Sequence, residues 1–221
     1  MGTRLKTYVP DYVVFDLETT GISAYKDAVI EVSAVKVVNG QVVDEFSTLV
    51  NPERPIPYAA SSVNNIFDDM VKDAPVFEVA LKEFLDFVGD FVLVGHNIHS
   101  FDMKFIRRDA LEYWGKTIDN DYVDTLYMAR SVLPQLSHHR LVDLAQHYGI
   151  SDEGAHRALA DCRMNQKVFE LLAKEDGKAG AESGLVKECP LCGNMLKKRS
   201  GKFGEFFGCM SFPRCRYTEN C

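Results

Sequence analysis

Four consecutive residues, Tyr12-Val13-Val14-Phe15, are apolar without alternation, and they constrain the chain more than any other stretch. Side chains of a strand point alternately to its two faces, so a strand that is apolar at every position has to be covered on both. That demands a central strand in a layered fold. The run leads without a break into Asp16-Leu17-Glu18-Thr19-Thr20-Gly21, and the same alternation puts the Asp16 and Glu18 carboxylates on one face. Two like charges there repel and resist desolvation. They require a cation, or an exposed strand end running into a turn at Gly21.

The pattern around this strand is that of a mixed α/β protein. Ala28 to Val38 and Val42 to Val50 are rich in Val, Ile and Phe and flank Asn39-Gly40, which reads as a hairpin. Phe77 to Val88 has helical spacing, and Phe91 to Val94 is a short buried-strand run. Ser100 is placed to cap a helix reaching about Trp114, and Tyr122 to Asp124 reads as a further strand. Leu126 to Leu133, Leu141 to Tyr148 and Ala155 to Ala173 are helical patterns. The expectation is a mixed sheet flanked by helices, over residues 8–175. Hydrophobic residues make up 46% of the chain, enough for such a core and too many for a largely disordered protein. No stretch reaches the ~18 apolar residues of a membrane span, and Met1 to Pro10 lacks the apolar segment of a signal peptide. These features point to a cytoplasmic protein with no membrane partner.

Two further places carry carboxylates where burial is expected. Ala158, Met164, Val168 and Leu171 form an apolar stripe in the last helix, and Asp161 sits in the middle of it. His156, five residues earlier, lies about 140° away on a helix. The two converge only if His156 occupies the turn before the helix, as Asp152-Glu153-Gly154 allows; a solvated first-turn histidine is the alternative. In Val94-Gly95-His96-Asn97-Ile98-His99-Ser100-Phe101-Asp102, a buried strand ends in polar residues and a helix begins. Asp102 fits a first-turn acid favoured by the helix dipole, and also a site at a strand end. Four such acids with a nearby histidine suit two divalent cations about 4 Å apart acting on a phosphodiester. Oxygen ligands favour Mg²⁺ or Mn²⁺, and an imidazole is the side chain suited to take a proton from water near neutrality.

Phe15-Asp16-Leu17-Glu18-Thr19-Thr20-Gly21, His96-Asn97 with Phe101-Asp102, and His156-Arg157-Ala158-Leu159-Ala160-Asp161 resemble, in order, the three motifs of the DEDDh 3′-to-5′ exonucleases. That family includes the proofreading subunit of bacterial DNA polymerase III, the PolC-type proofreading domain and RNase T. Asp124-Thr125-Leu126 matches between the second and third motifs. The resemblance implies a ribonuclease H-like exonuclease fold, metal ligation by Asp16, Glu18, Asp102 and Asp161, and His156 as general base. It also implies that the backbone and side chains around Leu17 and Thr19, with His96, Asn97 and Phe101, hold the 3′-terminal nucleotide. Asn64-Asn65-Ile66 departs from the His-Gly-Ile-like segment of many members without touching a metal ligand. Gln135-Leu136-Ser137 begins like a sliding-clamp-binding peptide, but His138-His139 replace its apolar end.

Cysteine and charge divide the chain at one place. Five of the six cysteines lie beyond residue 186, crowded as metal ligands are rather than spread as in a disulfide scaffold. Cys189-Pro190-Leu191-Cys192 followed by Cys209 and Cys215 supplies four thiolates for one structural Zn²⁺, with Cys221 as a rival fourth ligand. A thioredoxin-type reading of the first pair lacks the βαβ pattern and ignores the second pair. Cys162 reads as a small helix residue. The chain carries −7 overall, yet residues 187–217 hold seven basic residues against two acidic, a balance of +5. With Glu219 negative, residues 1–186 carry −11. Polar, Gly-rich residues 176–186 read as a flexible linker to a zinc ribbon at 187–221. Cys189 to Thr218 resembles the C-terminal zinc ribbon of bacterial type I topoisomerases, which implies single-stranded DNA binding. Lys197, Lys202, Phe203, Phe207 and Phe212 are the expected contacts, interleaving charge with stacking platforms, although some aromatics must fill the ribbon's small core.

Together these features lead to an expected metal-dependent 3′-to-5′ exonuclease on single-stranded DNA or DNA 3′ ends, in proofreading, replication or repair, with a DNA polymerase as an implied partner. An RNA-trimming exonuclease and an inert nucleic-acid-binding module are the competing readings.

Overall fold

The chain reverses at Asn39 and Gly40, whose φ of 51° and 71° form the left-handed pair that a two-residue hairpin demands. Around that turn the computed structural model describes residues 2–151, 156–179, 189–192, 196–201, 204–209, 212–213 and 215–220. In chain order the elements are β1 (Arg4–Leu5), β2 (Tyr12–Thr19), β3 (Val29–Val38), β4 (Gln41–Leu49), α1 (Tyr58–Asn64), α2 (Asp68–Val71) and α3 (Phe77–Val88). There follow β5 (Val92–Gly95), α4 (Asp102–Trp114), β6 (Tyr122–Asp124), α5 (Thr125–Val132), α6 (Leu141–His147) and α7 (Ala158–Ala179). The last strands are β7 (Leu196–Gly201), β8 (Gly204–Cys209) and β9 (Thr218–Asn220).

The larger sheet has the order β1-β6-β5-β2-β3-β4, so β2 is central as its doubly apolar run requires. It pairs antiparallel with β3, in a register that sets Glu18 opposite Glu31, and parallel with β5. Odd-numbered Val13, Phe15 and Leu17 face α3 and α4 in a core with Phe84, Met103 and Phe105. Even-numbered Tyr12 and Val14 face the other layer, with Met128, Leu144, Val168 and Phe169 of α5, α6 and α7. Burying each large side chain on either face stabilises the layers by about 1.5–3 kcal/mol. By parity, Asp16 and Glu18 share the face of α7. Beneath them Tyr12 and Tyr8 donate their hydroxyls to Glu170 of that helix, at 2.6 and 3.1 Å.

The structure departs from the sequence expectation at element ends. α4 begins at Asp102 with Phe101 in the cap position, so Ser100 is not its cap. Helix α7 starts at Ala158 rather than Ala155: His156, with a φ of 69°, is outside the helical region, and the Glu31 carboxylate of β3 caps the Ala158 N–H. It continues to Ala179, through residues 176–179 of the expected linker; 180–186 lie outside the described residues. Lys174 and Glu175 are good helix formers, whereas Gly177 costs the helix about 1 kcal/mol. The two-residue β1 and the short α1 and α2 carry no period long enough to read from sequence. The clamp-like segment serves its own fold: Leu136 packs into the core, and His139 Nε2 lies 2.9 Å from the Leu133 carbonyl.

The chain divides into two compact units, 1–174 and 175–221. The second contains a three-stranded sheet of order β7-β8-β9. Among the described residues no helix is long and apolar enough to cross a membrane.

Gly95 closes β5 where a Cβ would lie 2.1 Å from Ile98 Cγ2 and 3.0 Å from the Phe15 carbonyl oxygen. Gly95→Ala is therefore expected to destabilise the exonuclease unit by about 1–3 kcal/mol, read as a lower urea midpoint; an unchanged midpoint would contradict this packing.

Candidate active site and thiolate cluster

The C-terminal end of β2 meets the first turns of α4 and α7. Donor oxygens of Asp16, Glu18 and Asp161 all lie within 4.8 Å of one another. Asp102, buried, joins them from α4, its Oδ1 accepting the Leu17 N–H at 3.2 Å. Burial pushes the Asp16 carboxyl well above the usual carboxylate range, and Asp102 and then Glu18 push it further. Glu18 is pushed up to about 8 by burial, then by Asp161 and Glu31, against a hydrogen bond from Asn64. Burial raises Asp102 to about 7, against backbone N–H groups, and also raises Asp161. Four hard oxygen donors that resist joint ionisation form a donor set suited to divalent cations.

His156 occupies the turn before α7, as convergence with Asp161 requires. Its φ is 69°, its side chain is exposed, and its N–H donates to Asp161 Oδ2 at 3.2 Å. Residues 152–155 lie outside the described residues. On the other side of the site, the buried Asp124 carboxylate accepts the N–H groups of Asn97, His99 and Leu126 at 3.0, 3.0 and 3.1 Å. This fastens the loop carrying His96, Asn97 and Phe101 to the start of α5. His96 Nδ1 lies 3.1 Å from Thr125 Oγ1, and burial lowers its pKa to about 4, so the ring is neutral at pH 7. Phe101 is half-buried against Phe105, their ring centroids 5.2 Å apart. Thr19 Oγ1 donates to the Gly21 carbonyl and shapes the turn.

The Leu17 side chain is in the core and its N–H is taken by Asp102, because strand alternation turns it away from Asp16 and Glu18. Sequence reasoning missed Glu31, Arg157 and Asn64. The signal for Glu31 was present, a lone acid in the apolar run Val29-Ile30-Glu31-Val32; its partner was not. Cys162 is buried, its thiol pushed up by burial and donating to the Ser33 carbonyl at 3.3 Å, so it is no nucleophile.

In the second unit the Sγ atoms of Cys189, Cys192, Cys209 and Cys215 lie within 4.8 Å of one another. Cys189 to Cys215 is 3.6 Å and Cys192 to Cys209 is 3.4 Å, too long for disulfides. A tetrahedron with metal–sulfur bonds of about 2.3 Å has edges of about 3.8 Å, so the cluster fits four-thiolate coordination. Phe207 and Tyr217 pack against these cysteines and Leu196. Phe207 is half-buried on the cysteine side, and alternation along β8 sends Phe206 to the opposite face. Phe206 instead borders a cavity of about 280 Å³ with Arg199, Phe212, Arg216 and Tyr217. The Lys197 side chain, Lys202, Phe203 and Cys221 lie outside the described residues.

A central strand ending in clustered acids, faced by a helix bearing a third acid and preceded by histidine, defines a nuclease-type domain. Residues 13–169 match the family described as Exonuclease, and the chain belongs to it. Residues 186–221 match the topoisomerase DNA-binding C4 zinc finger. The chain is 38% identical to the DNA polymerase III subunit epsilon of Aquifex aeolicus, over 74% of this chain and 81% of that protein. It is 39% identical to the PolC-type DNA polymerase III of Clostridium perfringens over 77% of this chain, and spans only 12% of that relative's length. Exonuclease X, solved in complex with 5′ overhanging duplex DNA, superposes with a TM-score of 0.60 at 25% identity, covering 76% of this chain and 93% of that one.

The raised carboxyls set a pH dependence. Glu18 at about 8 and Asp102 at about 7 stay protonated where unfolded carboxyls, near 4, have ionised. The folded metal-free protein therefore binds more protons, and its stability falls as pH rises from about 4 through about 8. The melting temperature without metal is expected to be lower at about pH 8.5 than at about pH 5.5, with Mg²⁺ narrowing the gap. A metal-free melting temperature that rises over this range would refute the assignment.

Proposed function

We propose that the protein is a cytoplasmic, divalent-metal-dependent 3′-to-5′ exonuclease that releases nucleoside monophosphates from single-stranded DNA 3′ ends. The convergence of Asp16, Glu18, Asp102 and Asp161 beside His156 carries this reading. Two Mg²⁺ or Mn²⁺ ions held by the four carboxylates would neutralise charge on the phosphodiester and on the leaving oxygen. His156, exposed on its turn, takes the proton from the attacking water on an imidazole nitrogen. Asp102 fixes the strand end through the Leu17 N–H. Asp124 holds the loop from which His96, Asn97 and Phe101 face the terminal nucleotide, with the neutral His96 ring offering hydrogen bonds without charge. Thr19 shapes the turn beside it.

The ribbon captures the strand. Its thiolates hold a structural Zn²⁺, and the cavity bordered by Phe206, Phe212, Arg199 and Arg216 joins stacking surfaces to phosphate-binding charge. Tethered capture raises the local concentration of 3′ ends near the catalytic unit. DNA is favoured over RNA by the DNA polymerase III relatives and by the DNA-binding finger; those relatives also make a DNA polymerase the proposed partner, in proofreading or repair.

With 5′-labelled single-stranded DNA and Mg²⁺ or Mn²⁺, the protein is expected to produce a ladder shortening from the 3′ end. Asp16→Ala abolishes it, and His156→Ala lowers kcat by about 10²–10⁴-fold. Faster cleavage of matched RNA would reassign the substrate, and no cleavage of either strand would refute the enzyme.

The ribbon is tested separately. The purified chain is expected to hold about one zinc, lost in Cys189→Ala. Phe212→Ala should weaken single-stranded DNA binding by about 1–3 kcal/mol in fluorescence anisotropy. Unchanged affinity would remove Phe212 from the interface.

A further inference from the structure

Glu31 is a buried acid on β3, and the chemistry described above leaves it without a task. Its carboxylate accepts from Arg157 Nη2 at 2.7 Å, Arg157 Nε at 3.2 Å and the Ala158 N–H at 3.1 Å. The first contacts form a forked guanidinium–carboxylate pair, the geometry that fixes orientation as well as distance. The third caps the first turn of α7, whose leading N–H groups have no partner within the helix. All three fall on the two residues that follow His156.

His156 needs such support. It lies in the left-handed region, which few residues other than glycine adopt, and its side chain is exposed. Its own described anchor is the N–H bond to Asp161. Glu31 sits opposite Glu18 in the β2–β3 register, so one carboxylate ties the strand beside the acid cluster to the turn presenting the imidazole. The half-exposed Arg157 closes the clamp from the solvent side. Burial of Glu31 leaves it little freedom to let the turn drift.

We propose that Glu31, clamped to Arg157, is a positioning residue that holds His156 at the angle needed for proton abstraction. This rests on the reading of His156 as the base. Glu31→Gln keeps an acceptor for the Ala158 N–H and removes the charge that orients Arg157, so it loosens the turn without leaving a buried unpaired charge.

The test is a double-mutant cycle on the full-length, zinc-loaded chain with single-stranded DNA and Mg²⁺. Glu31→Gln is expected to lower kcat by about 10- to 100-fold with KM little changed, the loss typical when a supporting partner is removed. In a His156→Ala background it should change kcat by less than about twofold, because the group it positions is gone. The His156 imidazole cross-peaks in ¹H–¹⁵N spectra should shift or broaden in Glu31→Gln, and rates are compared at saturating Mg²⁺ because the substitution also removes a charge that acts on Glu18 and Asp161. If Glu31→Gln does not fold, Arg157→Lys, which keeps the cation and loses the fork, carries the same cycle. A loss of equal size in both backgrounds would overturn the proposal while leaving His156 as the base. An unchanged rate in His156→Ala alone would overturn both.

Discussion

Mutual repulsion among carboxylates at the end of a central strand is the constraint around which the larger unit is arranged. Asp16 and Glu18 share one face of β2, and Asp161 and Asp102 are brought to them by two helices from opposite layers. A chain maximising stability would not converge four acids where burial raises their pKa values. Asp102 is steadied by the Leu17 N–H and Glu18 by Asn64, and what remains is an oxygen-rich cage whose chemistry calls for cations. The rest of the fold supplies rigidity: an apolar layer on each side of β2, and Asp124 stapling one rim of the site through three backbone N–H groups.

The second unit meets a different constraint. Its described apolar interior is small, with Leu196, Phe207 and Tyr217 gathered around four cysteines. So little burial does not offset the entropy of ordering its strands, and thiolate coordination is the natural substitute for a core. Alternation along β8 then separates two neighbouring aromatics, sending Phe207 inward and leaving Phe206 beside Arg199, Phe212 and Arg216. One physical rule thereby divides structural rings from those open to a ligand.

Much of the site was legible because it is written in local patterns. The hairpin at Asn39-Gly40, the doubly apolar β2, the parity of Asp16 and Glu18, and Asp161 within an apolar stripe each rest on a few neighbouring residues. The errors fell where a distant partner intervenes. Ser100 looked like a cap until the chain placed Phe101 there, and α7 began three residues late, after a left-handed His156, with a β3 carboxylate meeting Ala158. The alternation that aims Asp16 and Glu18 at α7 turns the Leu17 side chain into the core.

The sequence by itself determined the ligand types, their order, the central strand and the division into an acidic unit and a basic, cysteine-rich one, since periodicity and residue chemistry are local properties. Only the tertiary structure decided that Glu31 grips Arg157, 126 positions away, that Asn64 braces Glu18, and that Asp124 fastens the loop around Asn97. Those contacts depend on which faces and strand ends meet in space, a consequence of sheet register and layer packing that no short stretch of chain encodes.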